Sequence, residues 1–256
     1  MKTAVCTIAY NEEEYINACM DNWSGIVDKH LVLVSVTPWN GSPVKKDATY
    51  EKAKERGADV ILSYWETEAL QRDWGLAYLH DYDYVFIVDP DEFYTKDDQR
   101  KIIDALTDQR DIFGREIKPM EAFSAAKMTT YWKTPEYSFN PPDKHRPLVA
   151  VDPKQLRFYE HRQVQPKDCA AVYQTQIMPI DVTCHHMSWV KSDDKIREKI
   201  NSFSHCEDIS PNWYENVWTK WVPGDRMMIR PYGVEDSIAI KKKAPQEIID
   251  LIEKSL

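Results

Sequence analysis

Long apolar runs are missing from this 256-residue chain. Leu31 to Val36 and Val85 to Val88 are its longest, far short of the stretch of about 20 residues that spans a bilayer, and no basic-then-apolar leader opens the sequence. A cytoplasmic protein is the expectation. Cysteine is sparse and unpatterned: Cys6, Cys19, Cys169, Cys184 and Cys206 are an odd number with no C-x-x-C pair, which excludes a disulfide framework and a thiolate zinc site. Positive charge is short as well. A net charge of -9 excludes a protein that coats nucleic acid non-specifically, because that mode needs a surplus of Lys and Arg to displace counterions. Internal repeats and low-complexity linkers are also absent.

What remains is globular composition, 43% hydrophobic and 29% charged, in a chain long enough to bury a sizeable core. Lys2 to Ala9 reads as a buried strand, followed by a helix from the acidic run Asn11 to Glu14 through Tyr15, Ile16, Cys19 and Met20. The pattern then alternates. Leu31 to Val36, Asp59 to Ser63 and Tyr84 to Val88 read as strands, and Ala48 to Arg56 and Thr67 to Leu79 as helices. This predicts an α/β fold with a mostly parallel central sheet flanked by helices. Beyond Asp91 the rhythm loosens into an irregular α+β part. Lys96 to Leu106, Lys191 to His205 and Pro245 to Leu256 are expected helices. Phe123 to Trp132, Leu148 to Val151 and Val182 to Trp189 are expected strands, and Thr134 to Pro147 a mobile loop. Residues 1–110 would form a donor-binding half and 111–256 an acceptor-binding half with the C-terminal helices, within one compact domain.

Chemistry concentrates at Asp89-Pro90-Asp91-Glu92, directly after the fourth strand. In open parallel sheets ligands gather at the carboxyl ends of strands. Two carboxylates one residue apart, with a stiff proline between them, can offer hard oxygens to one Mn²⁺ or Mg²⁺, which shares its other positions with phosphates. The competing reading is a helix cap followed by solvated first-turn acids.

Three motifs in the first hundred residues bear on that choice: Thr7-Ile8-Ala9-Tyr10-Asn11-Glu12, Gln71-Arg72-Asp73-Trp74-Gly75 and Val88-Asp89-Pro90-Asp91-Glu92-Phe93. Their order resembles the nucleotide-sugar glycosyltransferases of the GT-A fold, particularly the family-2-like group. The resemblance implies a nucleoside-diphosphate-sugar donor, UDP-linked by preference, lying near Ala9, Tyr10, Asn11 and Glu12, with Arg72 close by. It implies Asp91 on the metal, and Asp89 on the donor ribose, metal-bound water or the metal itself. Ser35-Val36-Thr37-Pro38 departs from relatives that carry an aspartate after the second strand, so the base is left open. His185-His186-Met187-Ser188-Trp189 resembles the segment from which such enzymes draw a histidine ligand. Adjacent strand residues face opposite ways, and His186 is the one chosen.

Lys191 is the expected diphosphate partner among the cations that follow, which include Arg197, Lys199, Arg226 and Arg230. Trp213, Tyr214, Trp218 and Trp221 would cover the acceptor cleft or pack the C-terminal segment. Glu121, with Glu136 and Asp181 behind it, is the candidate general base. The acceptor is a hydroxyl on a glycan, a lipid-linked sugar, a protein or a modified nucleobase. Lys144, His145, Arg146, Lys154, Arg157, His161, Arg162 and Lys167 form a locally basic run that could approach phosphates, with a loop of solvated charges the preferred reading. Two other classes compete: a nucleotidyltransferase, disfavoured because an acidic rather than glycine-rich stretch follows the first strand, and a non-catalytic carbohydrate-binding protein.

Overall fold

The computed structural model describes residues 1–108, 121–168, 175–232 and 236–255. In chain order its elements are β1 (Thr3–Ala9), α1 (Ile16–Trp23), β2 (Lys29–Ser35), α2 (Thr49–Glu55), β3 (Asp59–Ser63), α3 (Glu68–Tyr78), β4 (Tyr84–Ile87), β5 (Glu92–Phe93) and α4 (Lys96–Thr107). They continue with β6 (Ala122–Trp132), β7 (Thr134–Asn140), β8 (Leu148–Val151), β9 (Leu156–Glu160), β10 (Gln163–Pro166), β11 (Ile177–Trp189), α5 (Asp193–Ser202), β12 (Ile238–Lys241) and α6 (Gln246–Ser255).

The α/β expectation holds. β1 is parallel to both β2 and β4, and β2 is parallel to β3, giving the order β3-β2-β1-β4. After β3 the chain crosses β1 to lay down β4 on its other side. The carboxyl ends of β1 and β4 therefore flank the crevice where the strand order reverses. β8, β6, β7 and β12 extend the sheet antiparallel from β4. β1, β2 and β4 are buried on both faces, as Val5, Cys6, Val85, Phe86, Ile87, Leu31, Val32 and Leu33 show by being almost fully enclosed, while β3 at the edge is partly exposed. The sheet takes strands from both sides of residue 110, which itself lies outside the described residues.

Two local expectations are corrected and one alternative is decided. The helix expected from Asn11 begins only at Ile16, because Asn11 adopts the left-handed conformation (φ 55°) that asparagine tolerates and its amide donates to Lys45 O at 2.7 Å. Thr134 to Pro147 is not simply a loop: its first seven residues form β7, held between β6 and β12. Trp213, Tyr214, Trp218 and Trp221 are buried with Trp132, Trp189 and Ile196 in a core of their own. Packing, not cleft covering, accounts for them.

Two further features shape the crevice. The loop after β2 docks on the end of α5 at Gly41, whose φ of 73° and absent Cβ permit Ser42 N to donate to Asn201 O at 2.8 Å. The antiparallel β9–β10 hairpin turns at His161 and Arg162. Among the described residues no helix is long and apolar enough to cross a membrane, and Cys6, Cys19, Cys184 and Cys206 are free thiols. Cys169 lies outside the described residues.

Candidate functional site

A cavity of about 760 Å³ opens at the carboxyl ends of β1 and β4. That volume suits a ligand of nucleotide-sugar size. Tyr10, Asn11, Glu12, Arg72, Asp89, Asp91, His186 and Lys191 all line it. Ala9 does not: its methyl is turned into the core with Met20 and Val34. Glu121 is set apart too. It immediately precedes Ala122, which is level with Val151 and through it with Val85 near the start of β4, so it sits toward the amino end of the parallel strands. Asp181 is exposed and pairs with Lys127 at 2.9 Å, and Glu136 pairs with Lys243 at 3.5 Å; neither lines the cavity.

Backbone pairing explains how the acidic cluster and the histidine meet. β5 runs antiparallel to β11 with His186 opposite Glu92, and Met187 N donates to Asp91 O at 2.8 Å. Side chains alternate along β11. His185 turns to Tyr131, with Nδ1 2.8 Å from the phenol oxygen, while His186 faces the cavity with Nε2 3.6 Å from Asp91 Oδ1.

The two aspartates have different surroundings. Asp89 receives two hydrogen bonds from Arg72 Nη2, at 2.8 and 3.1 Å, and a longer one from Arg162 Nη1 at 3.4 Å. Burial opposes its ionisation, but the two guanidiniums overcome this and hold its carboxyl below the usual range. Among the described residues Asp91 pairs with no guanidinium. Lys199 Nζ lies 3.4 Å from its Oδ2, and Lys199, His186 and Lys191 together outweigh burial to keep it well below an ordinary carboxylate. Among the described residues no group of three His, Cys, Asp or Glu side chains gathers as a metal shell. The expected trio of Asp89, Asp91 and His186 does not close into one such group: Asp91 lies beside His186, while Asp89 is turned to the guanidiniums.

Arg162 is the residue that sequence reasoning missed. Read as a solvated loop charge, it is instead inserted from the β9–β10 turn, with Nη1 2.5 Å from Glu92 Oε1 and Nη2 donating to the carbonyls of Ile87 and Leu148, each at 2.9 Å. Its fork closes the end of β4. Glu92 is fully buried, and burial lifts its carboxyl above the ordinary range even with Arg162 against it. His145, Arg146 and His161 of the same basic run also line the cavity, whereas Lys154 pairs with Asp83 at 3.3 Å and Lys167 reaches Pro153 O at 2.6 Å. A hairpin turn at positive φ (His161, 41°) carries no strong sequence signal, which is why this run looked uniform.

α5 supplies the opposite wall. Ser192 caps it, accepting from Lys195 N, and Lys195, Lys199 and Ser202 recur at the spacing that puts them on one helical face toward the cavity. Lys191 is buried and pairs with Glu12 at 2.5 Å, and Lys195 pairs with Asp47 at 2.9 Å. Among the described residues seven cations, Arg72, Arg146, Arg162, Lys191, Lys195, Lys199 and Arg230, line the cavity. Against them stand seven carboxylates, those of Glu12, Glu68, Asp89, Asp91, Glu92, Asp143 and Glu198.

No protein-family model and no curated protein matches the chain. Among solved structures it is similar to glucosyl-3-phosphoglycerate synthase from Mycobacterium tuberculosis in complex with Mg²⁺ and UDP, at 18% identity and a TM-score of 0.36 over 49% of this chain and 43% of that one. A complex of the same synthase with Mn²⁺, UDP-glucose and phosphoglyceric acid gives 19% identity and a TM-score of 0.37 over 49% of this chain and 44% of that one. The chain thus spans less than half the length of the solved chains it matches.

Proposed function

We propose that this chain is a metal-dependent glycosyltransferase that moves a sugar from a nucleoside-diphosphate sugar to a hydroxyl acceptor. The observation that carries the reading is the meeting of Asp91 and His186 at the reversal point of the sheet, in a cavity of about 760 Å³. One carboxylate and one imidazole suit a divalent cation that leaves its remaining positions to water and phosphate oxygens, and the imidazole favours Mn²⁺ over Mg²⁺. Asp91 and His186 would hold it. When bound, such a cation offsets the charge that develops on a departing diphosphate.

The remaining work falls to this chain's own side chains. Lys199 and Lys191 stand beside Asp91 and can neutralise phosphate oxygens as they become more basic. Asp89 fixes Arg72 at the cavity wall. Equal numbers of lining cations and carboxylates leave the empty cavity near neutrality, so a cation and a diphosphate are accommodated together better than either charge alone. Tyr10 and Asn11, at the end of β1, sit where the donor's nucleoside would lie.

The test is transfer or hydrolysis with a panel of nucleotide sugars, UDP-linked first, with and without Mn²⁺. Metal-dependent release of nucleoside diphosphate is the expected result. Pyrophosphate-dependent formation of a nucleoside triphosphate would point to a nucleotidyltransferase instead, and metal-independent glycan binding without nucleotide binding to a carbohydrate-binding protein.

A further inference from the structure

We infer that Thr130 and Asp143 are positioning residues that fix the ring tautomer of His186, presenting its Nε2 lone pair toward Asp91. The inference rests on the metal reading above for its purpose, but not for its geometry. Thr130, on β6, stands opposite His186 in the β6–β11 register. Its hydroxyl donates to Asp143 Oδ2 and lies 3.2 Å from His186 Nδ1. A hydroxyl has one proton, and an ionised carboxylate can only accept. Arg230 Nη1 pairs with the other oxygen of Asp143, 2.7 Å from Oδ1. The Thr130 proton is therefore committed to Asp143, and the hydroxyl can meet His186 only as an acceptor. In the neutral ring Nδ1 must then carry the proton, and Nε2, 3.6 Å from Asp91 Oδ1, is the lone pair. A histidine that binds a cation through one nitrogen needs this fixing through the other, and loss of such a partner commonly weakens metal affinity 10- to 100-fold.

Arg230 in turn is steadied from the C-terminal segment, where its Nη2 donates to Ser237 Oγ at 3.1 Å and Ser237 Oγ donates to Pro141 O at 3.1 Å. The chain of contacts thus draws on β6, the segment after β7, and the approach to β12, none of which carries a sequence motif.

Long-range ¹H–¹⁵N spectra of the neutral His186 ring in metal-free protein read the tautomer directly, and calorimetry with Mn²⁺ and UDP reads the affinity. Wild type is expected to show the proton on Nδ1. Thr130→Val, nearly isosteric, should lose that preference and weaken Mn²⁺ about tenfold, and Thr130→Ser should restore both. Asp143→Asn is the sharper variant. Its amide can donate to Thr130, turning the hydroxyl round to donate to Nδ1 and moving the ring proton to Nε2. A wild-type ring protonated at Nε2, or Thr130→Val and Asp143→Asn spectra identical to wild type in folded protein, would overturn the inference. If wild type bound no Mn²⁺ with UDP, the metal reading would fall, while the ring tautomer would still decide the positioning role.

Discussion

Asp89 and Asp91 are two residues apart, yet they belong to different regions of the molecule. Asp89 faces guanidiniums delivered by α3 and by the β9–β10 turn, while Asp91 faces an imidazole from β11 and ammonium groups from α5 and the segment before it. Guanidinium is planar, always charged and able to grip a carboxylate with two donors, so it locks its partner. Ammonium and imidazole are compact and exchangeable. The contrast teaches that a D-x-D pair is divided by its neighbours, with one carboxylate gripped by guanidiniums and the other set among ammonium groups and an imidazole.

The comparison can be broken from the Asp91 side first. Asp91→Asn should reduce metal-dependent turnover by at least about a hundredfold in a steady-state assay, a far larger effect than the modest drop in unfolding midpoint expected from losing its pairing with Lys199. A variant that melted early but stayed active would reverse the two roles. On the other wall, Arg162→Met should cost about 3 kcal/mol or more in denaturant unfolding, because it strands Glu92 beside Asp89 in a buried place. Arg162→Lys should not rescue it, since one ammonium cannot reach the carboxylates and both carbonyls.

Acid sensitivity offers a smaller effect. Burial pushes His30 down to about 3, and His145 and His185 down to about 4. Their folded pKa values lie below the unfolded value near 6.5, so the stability they give is present above about pH 6.5 and is lost as pH falls toward 4. His185→Phe should therefore flatten the loss of stability between pH 7 and 5 by about 1–2 kcal/mol in urea titrations. Smallest of all, Glu121→Gln should leave kcat within about twofold of wild type, as its place toward the amino end of the strands requires.

Much of the first region was legible in the sequence, because alternating apolar runs and capping residues are local signals. The helices expected over Thr67 to Leu79 and Lys96 to Leu106 are α3 and α4, capped by Thr67 and Thr95, and Asp59 to Ser63 is β3 to the residue. The acidic cluster could be placed for the same reason: it follows a strand whose burial is written in its own residues. The second region was less legible. β7 hides in a Pro-containing stretch because its stability comes from pairing with β12 about a hundred residues later. The roles of Arg162 and Lys199 depend on where a hairpin turn and a helix face come to rest, and no spacing within the sequence encodes that.

The division between the two aspartates is tested most directly by calorimetry of UDP with Mn²⁺ on wild type, Asp89→Asn and Asp91→Asn, each checked for folding. Wild type should bind UDP only with metal, Asp91→Asn should lose the metal requirement together with most of the affinity, and Asp89→Asn should keep the metal requirement at lower stability. Wild-type Mn²⁺-dependent binding in Asp91→Asn would contradict the account.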